Sequence, residues 1–180
     1  MQNLKDIPCL ILGIGNILWA DEGFGVRVVE AFNDKYAFTD PNNVIADGGT
    51  LGMYLYDRIC RAEKLLIFDC CDFKGKPGEL RVLRNDDVKL WTSTKISPHQ
   101  TGMNDLLVAA AVRGAVPKEI AVVGFQPILL DDYGGSLSPE AKANIDEAVR
   151  DGYEIVRGWN IGLRPALRTK LPLPSWMRLV

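Results

Sequence analysis

Histidine is almost absent from this sequence, which has a single one, His99, in 180 residues. A Ser-His or Cys-His catalytic pair would have to use that residue, and no G-x-S-x-G motif is present. The sequence has four cysteines: Cys9, Cys60, Cys70 and Cys71. They form no C-x-x-C pair, which argues against a zinc knuckle or a thioredoxin-like site. We interpret them as small buried hydrophobic residues, including the Cys70-Cys71 pair at a predicted strand end, and not as nucleophiles.

Long apolar runs and an excess of charge are also missing. No run approaches the roughly 20 residues of a membrane span, and the first ten residues lack the apolar core of a signal peptide. The net charge is only −2, so no overall attraction to nucleic acid or to a membrane surface is expected. With 47% hydrophobic and 24% charged residues, the composition is that of a soluble globular protein. We therefore expect a cytoplasmic protein.

The last part of the chain lacks acidic residues. Residues 159–180 contain four basic residues, Arg164, Arg168, Lys170 and Arg178, together with three prolines. Prolines in this number disfavour a regular helix. We predict one domain over residues 1–158 and a basic, proline-containing tail over 159–180 that is loosely attached and dispensable for activity.

Strand and helix patterns alternate along the rest of the chain. The predicted strands are 8–14, 43–46, 64–68, 79–83 and 119–125. The predicted helices are 22–36, 51–61, 97–113 and 138–157. This alternation predicts an α/β fold with helices on both faces of a sheet. The connection to strand 79–83 is too short for a helical crossover, so that strand is predicted to be antiparallel.

Three acidic residues follow the ends of predicted strands. If the first two helices pack on opposite faces, the first strand lies between the second and the third. Glu22, Asp47 and Asp69 would then meet at the carboxyl edge of the sheet, where ligands bind in folds of this kind.

The glycine-rich turn GIGNILWADEGFG, residues 13–25, suggests a phosphate site at first sight. A dinucleotide fingerprint requires a third glycine where Leu18 stands. Asp21 and Glu22 also put negative charge at the helix N-terminus, where a phosphate would bind. The turn therefore disfavours a nucleotide, and we interpret Gly13 and Gly15 as residues that let the chain turn sharply.

A metal site is a better match to these residue types. His99 lies in KISPHQ, where Ser97 is a candidate cap, and the positive end of the following helix favours a neutral imidazole. Glu22 and Asp69 would neutralise a divalent cation, and three ligands would leave coordination positions open. The competing interpretation is that these residues only cap helices, and the residues alone leave both open.

The segments GIGNILWADEGFGVRVVEAF, DGGT, LLIFDCCD and KISPHQ, in that order, resemble the hydrogenase maturation proteases. These endopeptidases trim the large subunit of nickel–iron hydrogenases. The resemblance covers residues 8–157, and GFQPILLDDYGGSLS is similar to members that serve membrane-associated uptake hydrogenases. It implies a three-layer α/β/α sandwich of the phosphorylase/hydrolase-like kind, with a five-stranded mixed sheet that has one antiparallel strand.

The resemblance also implies roles for particular residues. The family's metal-contacting glutamate, aspartate and histidine correspond to Glu22, Asp69 and His99, which would also be the catalytic set. Its substrate-recognition motif corresponds to Asp47, Gly48, Gly49 and Thr50.

The implied enzyme is an aspartic-type, nickel-dependent endopeptidase. It would remove the C-terminal peptide from a large-subunit precursor whose thiolates already hold nickel, and it would hold no metal tightly itself. The nickel could polarise the scissile carbonyl or activate water, or only position the bond. We expect the loop 126–136 to contact the precursor, against the alternative of a plain surface loop. Two other functions are left open: a chaperone that binds the precursor without cutting it, and a metallohydrolase with its own bound metal.

Overall fold

The chain alternates strands and helices in the computed structural model, which describes residues 5–50, 52–88 and 98–167, and only the backbone of residues 98–102. The strands are β1 (Ile7–Ile14), β2 (Tyr36–Phe38), β3 (Val44–Gly49), β4 (Ala62–Cys70), β5 (Leu80–Arg84), β6 (Glu119–Phe125) and β7 (Leu163–Pro165). The helices are α1 (Phe24–Lys35), α2 (Tyr56–Arg61), α3 (Pro98–Val112) and α4 (Pro139–Gly158). Each predicted strand and helix corresponds to one of these elements.

The main sheet has five strands in the order β3-β1-β4-β6-β5. As predicted, β1 lies between β3 and β4, and β5 is the strand that runs antiparallel to its neighbour, β6. Leu12 lies opposite Ala46 on one side and Ile67 on the other. Such central parallel strands are covered on both faces, which explains why their sequences are nearly continuously apolar.

The helices cover both faces of the sheet and make three layers. Successive strand residues point to opposite faces. Leu66 and Phe68 accordingly pack with α1 and α4, while Leu65 and Ile67 pack with α2 and α3. On the first face the rings of Phe24 and Phe125 stack with centroids 4.6 Å apart. The predicted three-layer α/β/α sandwich with a mixed sheet is confirmed, and its core is formed on the two faces of the sheet.

The first helix is shorter than the sequence pattern predicts. It begins at Phe24, not residue 22, because Ala20–Gly23 forms a 3₁₀ turn. It ends at Lys35, and Tyr36 is extended with a φ of −132°. Tyr36 opens β2 and stacks on Tyr153 at a centroid distance of 4.8 Å. A tertiary contact, which periodicity does not encode, therefore ends the helix. The predicted cap at Ser97 lies outside the described residues.

The beginning of the predicted tail is part of the folded body. β7 pairs with β2, and the Ala166 amide donates to the Lys35 carbonyl at 2.9 Å. Trp159 is 7% exposed, and Lys64 Nζ donates to its carbonyl oxygen at 2.7 Å. The expectation of loose attachment is therefore wrong for residues 159–167, because an apolar ring and a strand pair fix them. Residues 168–180 lie outside the description, and the domain boundary at 158 stays a prediction.

None of the helices in the described ranges is long and apolar enough to cross a membrane. The cytoplasmic location stays a prediction.

Candidate functional site

The carboxyl ends of β1, β3, β4 and β6 meet at one edge of the sheet, which we call the carboxyl edge. Gly15 leaves β1 with a φ of +136°, and its amide donates to the Gly49 carbonyl at 3.0 Å. A Cβ atom at Gly25 would lie 2.1 Å from the Phe68 carbonyl oxygen and 2.3 Å from that of Ile14. Only glycine fits there, so the start of α1 lies directly on the ends of β1 and β4.

Glu22 and Asp69 come close together at this edge. Glu22 is half-buried in the 3₁₀ turn before α1, and its amide donates to the Trp19 carbonyl at 2.8 Å. Asp69, near the end of β4, is 2% exposed. The negative charge of Glu22 contributes to raising the pKa of Asp69, as expected for neighbouring carboxylates.

Burial is the main reason that the pKa of Asp69 lies well above its usual value. Hydrogen bonds from the Cys70 amide and the Cys71 thiol lower it, but they do not outweigh burial and the charge of Glu22. The ionised form of Asp69 is thus unfavourable in this environment. A cation placed between the two carboxylates would reverse that balance, because an opposite charge favours the ionised form.

His99 lies in the first turn of α3. This helix leads into β6, which is parallel to β4, so the N-terminus of α3 lies toward the carboxyl edge. The His99 side chain is outside the described part of the chain. Among the side chains that are described, no three from His, Cys, Asp and Glu are grouped closely enough to hold a metal ion. Of the three predicted metal ligands, the side chains that the structure describes are therefore those of Glu22 and Asp69.

Asp47, the third acid expected at this edge, lies apart from that pair. Strand alternation puts it on the face of Ile45, which packs toward α1, whereas Asp69 follows the opposite face. Burial raises the pKa of Asp47, and the neighbouring charges that affect it are Glu30 and Arg27 of α1. The expected cluster of three acids is accordingly a pair with a third acid on the other face.

The rest of the predicted recognition motif forms the end of β3. Asp47 Oδ1 accepts a hydrogen bond from the Gly49 amide at 2.8 Å, and Gly49 has a φ of +46°. Thr50 follows the strand and is exposed. Gly48 is buried, and a Cβ there would lie 2.6 Å from Ile14 Cδ1. The motif therefore presents a backbone turn and Thr50 beside β1.

Asp21 is a central residue that the sequence interpretation did not single out. It is completely buried, and its two oxygens accept four hydrogen bonds. Oδ2 accepts from the amides of Ile128 and Leu129 at 3.1 and 3.0 Å and from the Ser138 hydroxyl at 3.0 Å. Oδ1 accepts from the Ser138 amide at 2.7 Å. Three of these donors are backbone groups more than 100 positions away, so no residue pattern could indicate them.

The loop between β6 and α4 leaves the sheet at the carboxyl edge and contacts the 16–21 segment. The Gly134 amide donates to the Leu18 carbonyl at 2.7 Å, and Trp19 and Tyr133 form an antiparallel bridge. Their rings make an edge contact with centroids 5.2 Å apart. The two segments together expose large apolar side chains: Ile17, Leu18, Trp19, Ile128, Leu129, Leu130 and Tyr133. We call these seven residues the apolar rim.

Gln126 holds a second loop at the same edge. Its side chain is buried, and Oε1 accepts from the amides of Phe73 and Gly75, each at 3.1 Å. Nε2 donates to Asp72 Oδ1 at 3.1 Å. This amide orders the chain that leaves β4, immediately after Asp69. The sequence did not indicate that Gln126, a glutamine at a strand end, would order this loop.

The two cysteines beside Asp69 have the environment of packing residues. Burial raises the pKa of both Cys70 and Cys71 well above the usual thiol value, and the charge of Asp69 raises it further. A reactive cysteine needs a lowered pKa, since the thiolate is the nucleophile. Neutral thiols at this position are consistent with the prediction that neither is a nucleophile.

Comparison with known protein families and sequences gives one consistent result. The sequence profile described as hydrogenase maturation protease matches residues 26–155. A hydrogenase expression/formation protein, HupD, of Bradyrhizobium diazoefficiens is 41% identical over 177 residues, which cover 98% of this chain and 90% of that protein. The hydrogenase 2 maturation protease of Escherichia coli is 40% identical over 141 residues, covering 78% and 85%. The expectation that similarity stops at residue 157 is wrong, because the first alignment extends well into residues 159–180.

Solved structures agree with the sequences. The hydrogenase maturating endopeptidase HybD of E. coli superposes with a TM-score of 0.82 at 36% identity, covering 88% of this chain and 98% of that one. A NiFe hydrogenase maturation protease, HybD, from Thermococcus kodakarensis has a TM-score of 0.66 at 24% identity, over 83% and 99% of the two chains. The second likeness supports the fold alone.

Proposed function

The chain belongs to the hydrogenase maturation protease family, and we propose that it cuts the C-terminal peptide from a nickel-loaded large-subunit precursor of a NiFe hydrogenase. Within this proposal the nickel is part of the substrate. Glu22, Asp69 and His99 recognise it, and the cut separates the peptide from the finished subunit. Water is the co-reactant, so that one peptide bond becomes a carboxylate and an amine.

One observation carries this proposal: two carboxylates from separate elements, the half-buried Glu22 and the buried Asp69, come together at the carboxyl edge, and burial together with the charge of Glu22 raises the pKa of Asp69. Asp69 is 2% exposed, Glu22 is close enough to raise its pKa, and the described donors to Asp69 are one amide and one thiol. A divalent cation beside such a pair would stabilise the ionised form of both carboxylates. The position at the carboxyl edge of an α/β sheet supports a binding role, because ligands bind there in such folds.

Three protein ligands with two hard carboxylates are expected to bind a free nickel ion only weakly. A nickel ion already held by precursor thiolates would instead be shared between two proteins. Contacts elsewhere on the precursor then raise the effective concentration of the ion at the site. Cleavage would consequently report that nickel has been inserted, since an empty precursor offers the carboxylates no cation. We propose that the shared nickel acts by positioning the scissile bond.

We propose that the precursor also contacts two neighbouring surfaces. One is the end of β3, which presents the half-buried Asp47 and Gly49 and the exposed Thr50. The other is the apolar rim, whose seven exposed side chains come from the segment that leads into the turn carrying Glu22 and from the loop bonded to that segment. Exposed apolar groups grouped in this way are typical of surfaces that bind other proteins. The rim therefore supports the expected contact by loop 126–136.

The test is a time course with three substrates: nickel-loaded precursor, empty precursor, and empty precursor with added free nickel ions. The mass of the large subunit is measured at each time. We expect loss of the C-terminal peptide from the loaded precursor, none from the empty one, and little on adding free nickel.

Each other outcome rejects a defined part of the proposal. Equal cleavage of empty and loaded precursor rejects nickel recognition and leaves the protease. Stable binding of loaded precursor without cleavage indicates a chaperone. A stoichiometric metal in the purified protein, with cleavage lost on chelation and restored by that metal, indicates a metallohydrolase with its own ion.

A further inference from the structure

We propose that Asp21 is a positioning residue, which fixes the turn that carries Glu22 and the loop 126–138 as one rigid unit. This inference rests on the proposed function above, because its purpose would be to hold the surfaces that grip the precursor. Asp21 does not itself contact substrate: it is completely buried, and all of its hydrogen-bond partners are groups of this chain.

The chemistry of the contacts explains why an aspartate is needed. All four partners are donors: the amides of Ile128, Leu129 and Ser138, and the Ser138 hydroxyl. The Ser138 hydroxyl donates its one hydrogen to Asp21 Oδ2, and its oxygen also accepts from the Ala141 amide at 3.2 Å. Only an acceptor on both oxygens satisfies this set. An asparagine would put an NH₂ group against at least one of these donors.

The backbone of the same segment is held in an uncommon conformation. Ala20 has a φ of +31°, which non-glycine residues adopt only where surrounding contacts enforce it. On the other side of Asp21, its own amide donates to the Leu129 carbonyl at 3.1 Å. The side chain and the main chain of Asp21 are thus both bonded to the loop. The next residue in the turn is Glu22, so the position of its carboxylate depends on these bonds.

The bonds from Asp21 join two segments that are 107–117 positions apart in sequence. Nearer to solvent, the same two segments are also joined by the Trp19–Tyr133 ring contact and by the hydrogen bond from the Gly134 amide to the Leu18 carbonyl. Loss of the Asp21 bonds would let the loop separate from the turn, and both halves of the apolar rim would then move relative to Glu22.

The test compares Asp21→Asn with Ser138→Ala in the full-length protein. The control removes one of the four donors and the side-chain cap of α4, a cap that typically stabilises by about 1 kcal/mol. It therefore lowers stability but leaves three backbone bonds to Asp21. Two measurements are made at a temperature where both variants are folded: amide hydrogen exchange, and kcat and KM with nickel-loaded precursor.

For Asp21→Asn we expect either the Ser138 amide or the amides of Ile128 and Leu129 to lose protection, together with Gly134, because the NH₂ group must replace one of the two oxygens. Val122 in β6 should keep its protection. We expect kcat/KM to fall on the order of 100-fold, as small misplacements at a site can produce. Both kcat and KM should change, because a displaced Glu22 positions the bond less well and the displaced rim binds the precursor less well before the bond is cut. Ser138→Ala should keep protection at Ile128 and Leu129 and stay within a few fold of wild type.

Two results would overturn this role: unchanged protection in Asp21→Asn, or lost protection with the kcat/KM of wild type. A fall in protection spread evenly over β6 as well would mean that Asp21 only stabilises the fold. If wild-type protein fails to cut loaded precursor, the proposed function is rejected instead. In that case the affinity for nickel-loaded precursor is measured in place of kcat/KM. Equal affinity of Asp21→Asn and wild type would reject the positioning role.

Discussion

Two buried carboxylates, Asp21 and Asp69, lie near the same edge of the sheet in opposite conditions. Asp21 accepts four hydrogen bonds, and its partners all come from the loop that leads to α4. Among the described residues, Asp69 accepts from one amide and one thiol, and a second carboxylate, Glu22, adds repulsion. Both are almost inaccessible, at 0% and 2% exposure.

The difference is consistent with the proposal that Asp21 serves the fold and Asp69 serves a ligand. A buried charge is tolerated when hydrogen bonds replace the water it has lost. Around Asp21 the protein supplies those bonds itself. Around Asp69 the described residues supply fewer such bonds and add a like charge, an arrangement that would favour a cation from outside. Perturbed carboxylates of this kind are more frequent at functional sites than in structural networks.

The largest effect is expected at the proposed nickel ligands, to which Asp69 belongs. Glu22→Gln, Asp69→Asn and His99→Ala should each reduce processing of nickel-loaded precursor to background while the protein stays folded, because each removes a proposed nickel ligand. Processing is followed by mass measurement and folding by circular dichroism. Glu30→Gln is the matched control, since Glu30 is a partly exposed acid of α1 that pairs with Arg27. A variant that processes at the wild-type rate would remove its residue from the mechanism.

The same chemical change should alter stability in opposite directions at the two acids. Asp21→Asn should lower the free energy of unfolding by about 1–3 kcal/mol, because it leaves a buried donor without an acceptor. Asp69→Asn should raise it at neutral pH, because a buried charge is removed and the new carbonyl can still accept. A change of 1 kcal/mol corresponds to roughly 2–4 °C in melting temperature for a domain of this size.

The pH dependence checks the cause of the gain at Asp69. Its pKa is raised in the folded protein, above an unfolded value of about 3.9. The wild-type protein should therefore lose stability as the pH rises from the unfolded pKa through the folded one. The difference in melting temperature between Asp69→Asn and wild type should widen over that interval and then stay constant. A difference that is constant from pH 3 upward would mean that ionisation is not the cause.

A smaller effect is expected at the thiols beside Asp69. The double variant Cys70→Ser and Cys71→Ser should process precursor within roughly a few fold of wild type, since a serine hydroxyl can donate to Asp69 as the thiol does. The wild-type protein should also react slowly with an alkylating agent, because burial keeps both thiols neutral. Complete loss of cleavage by a folded double variant would make a thiol nucleophile the better hypothesis.

The smallest effect is expected for a chain that ends after Leu167, which should process precursor as the full chain does. A chain that ends after Gly158 should be less stable, because it lacks Trp159 and the strand that pairs with β2. Melting temperature and processing are compared for the two truncations. Equal stability of both would show that β7 contributes little, and an inactive but folded 1–167 chain would give the remaining residues a role.

Much of the frame of the site could be predicted from residues close in sequence. Apolar runs ending in glycines or acids predicted β1, β3 and β4, and the placement of the first two helices on opposite faces predicted their order. The antiparallel β5 followed from a short connection. Glu22 and Asp69 could be brought together on that basis, since both follow adjacent strands.

The features that the sequence did not predict depend on partners far along the chain. Tyr36 continues the helical period of α1 but pairs with β7 and stacks on Tyr153. Asp21 has the same local setting as Glu22, and only the loop 126–138 distinguishes them. Asp47 is separated from the pair because alternate residues of a strand point to opposite faces of the sheet. A shift of one residue would put Asp47 on the other face, and a prediction of strand ends does not resolve one residue.

The β2–β7 pair also has a consequence for the order in which the chain is completed during synthesis. Thr39 and Gly162, which lie beside this pair and bond to each other, are 123 positions apart. The five strands of the main sheet are all translated before β7 emerges, so β2 waits with an unpaired edge, the kind of edge that invites pairing with other chains. Docking of α4 brings the chain back toward β2, because Asp146 of α4 pairs at 2.6 Å with Lys35, the last residue of α1, which directly precedes β2. Once α4 is in place, only residues 159–162 separate its end from β7. The entropy cost of closing this short loop onto β2 is therefore small.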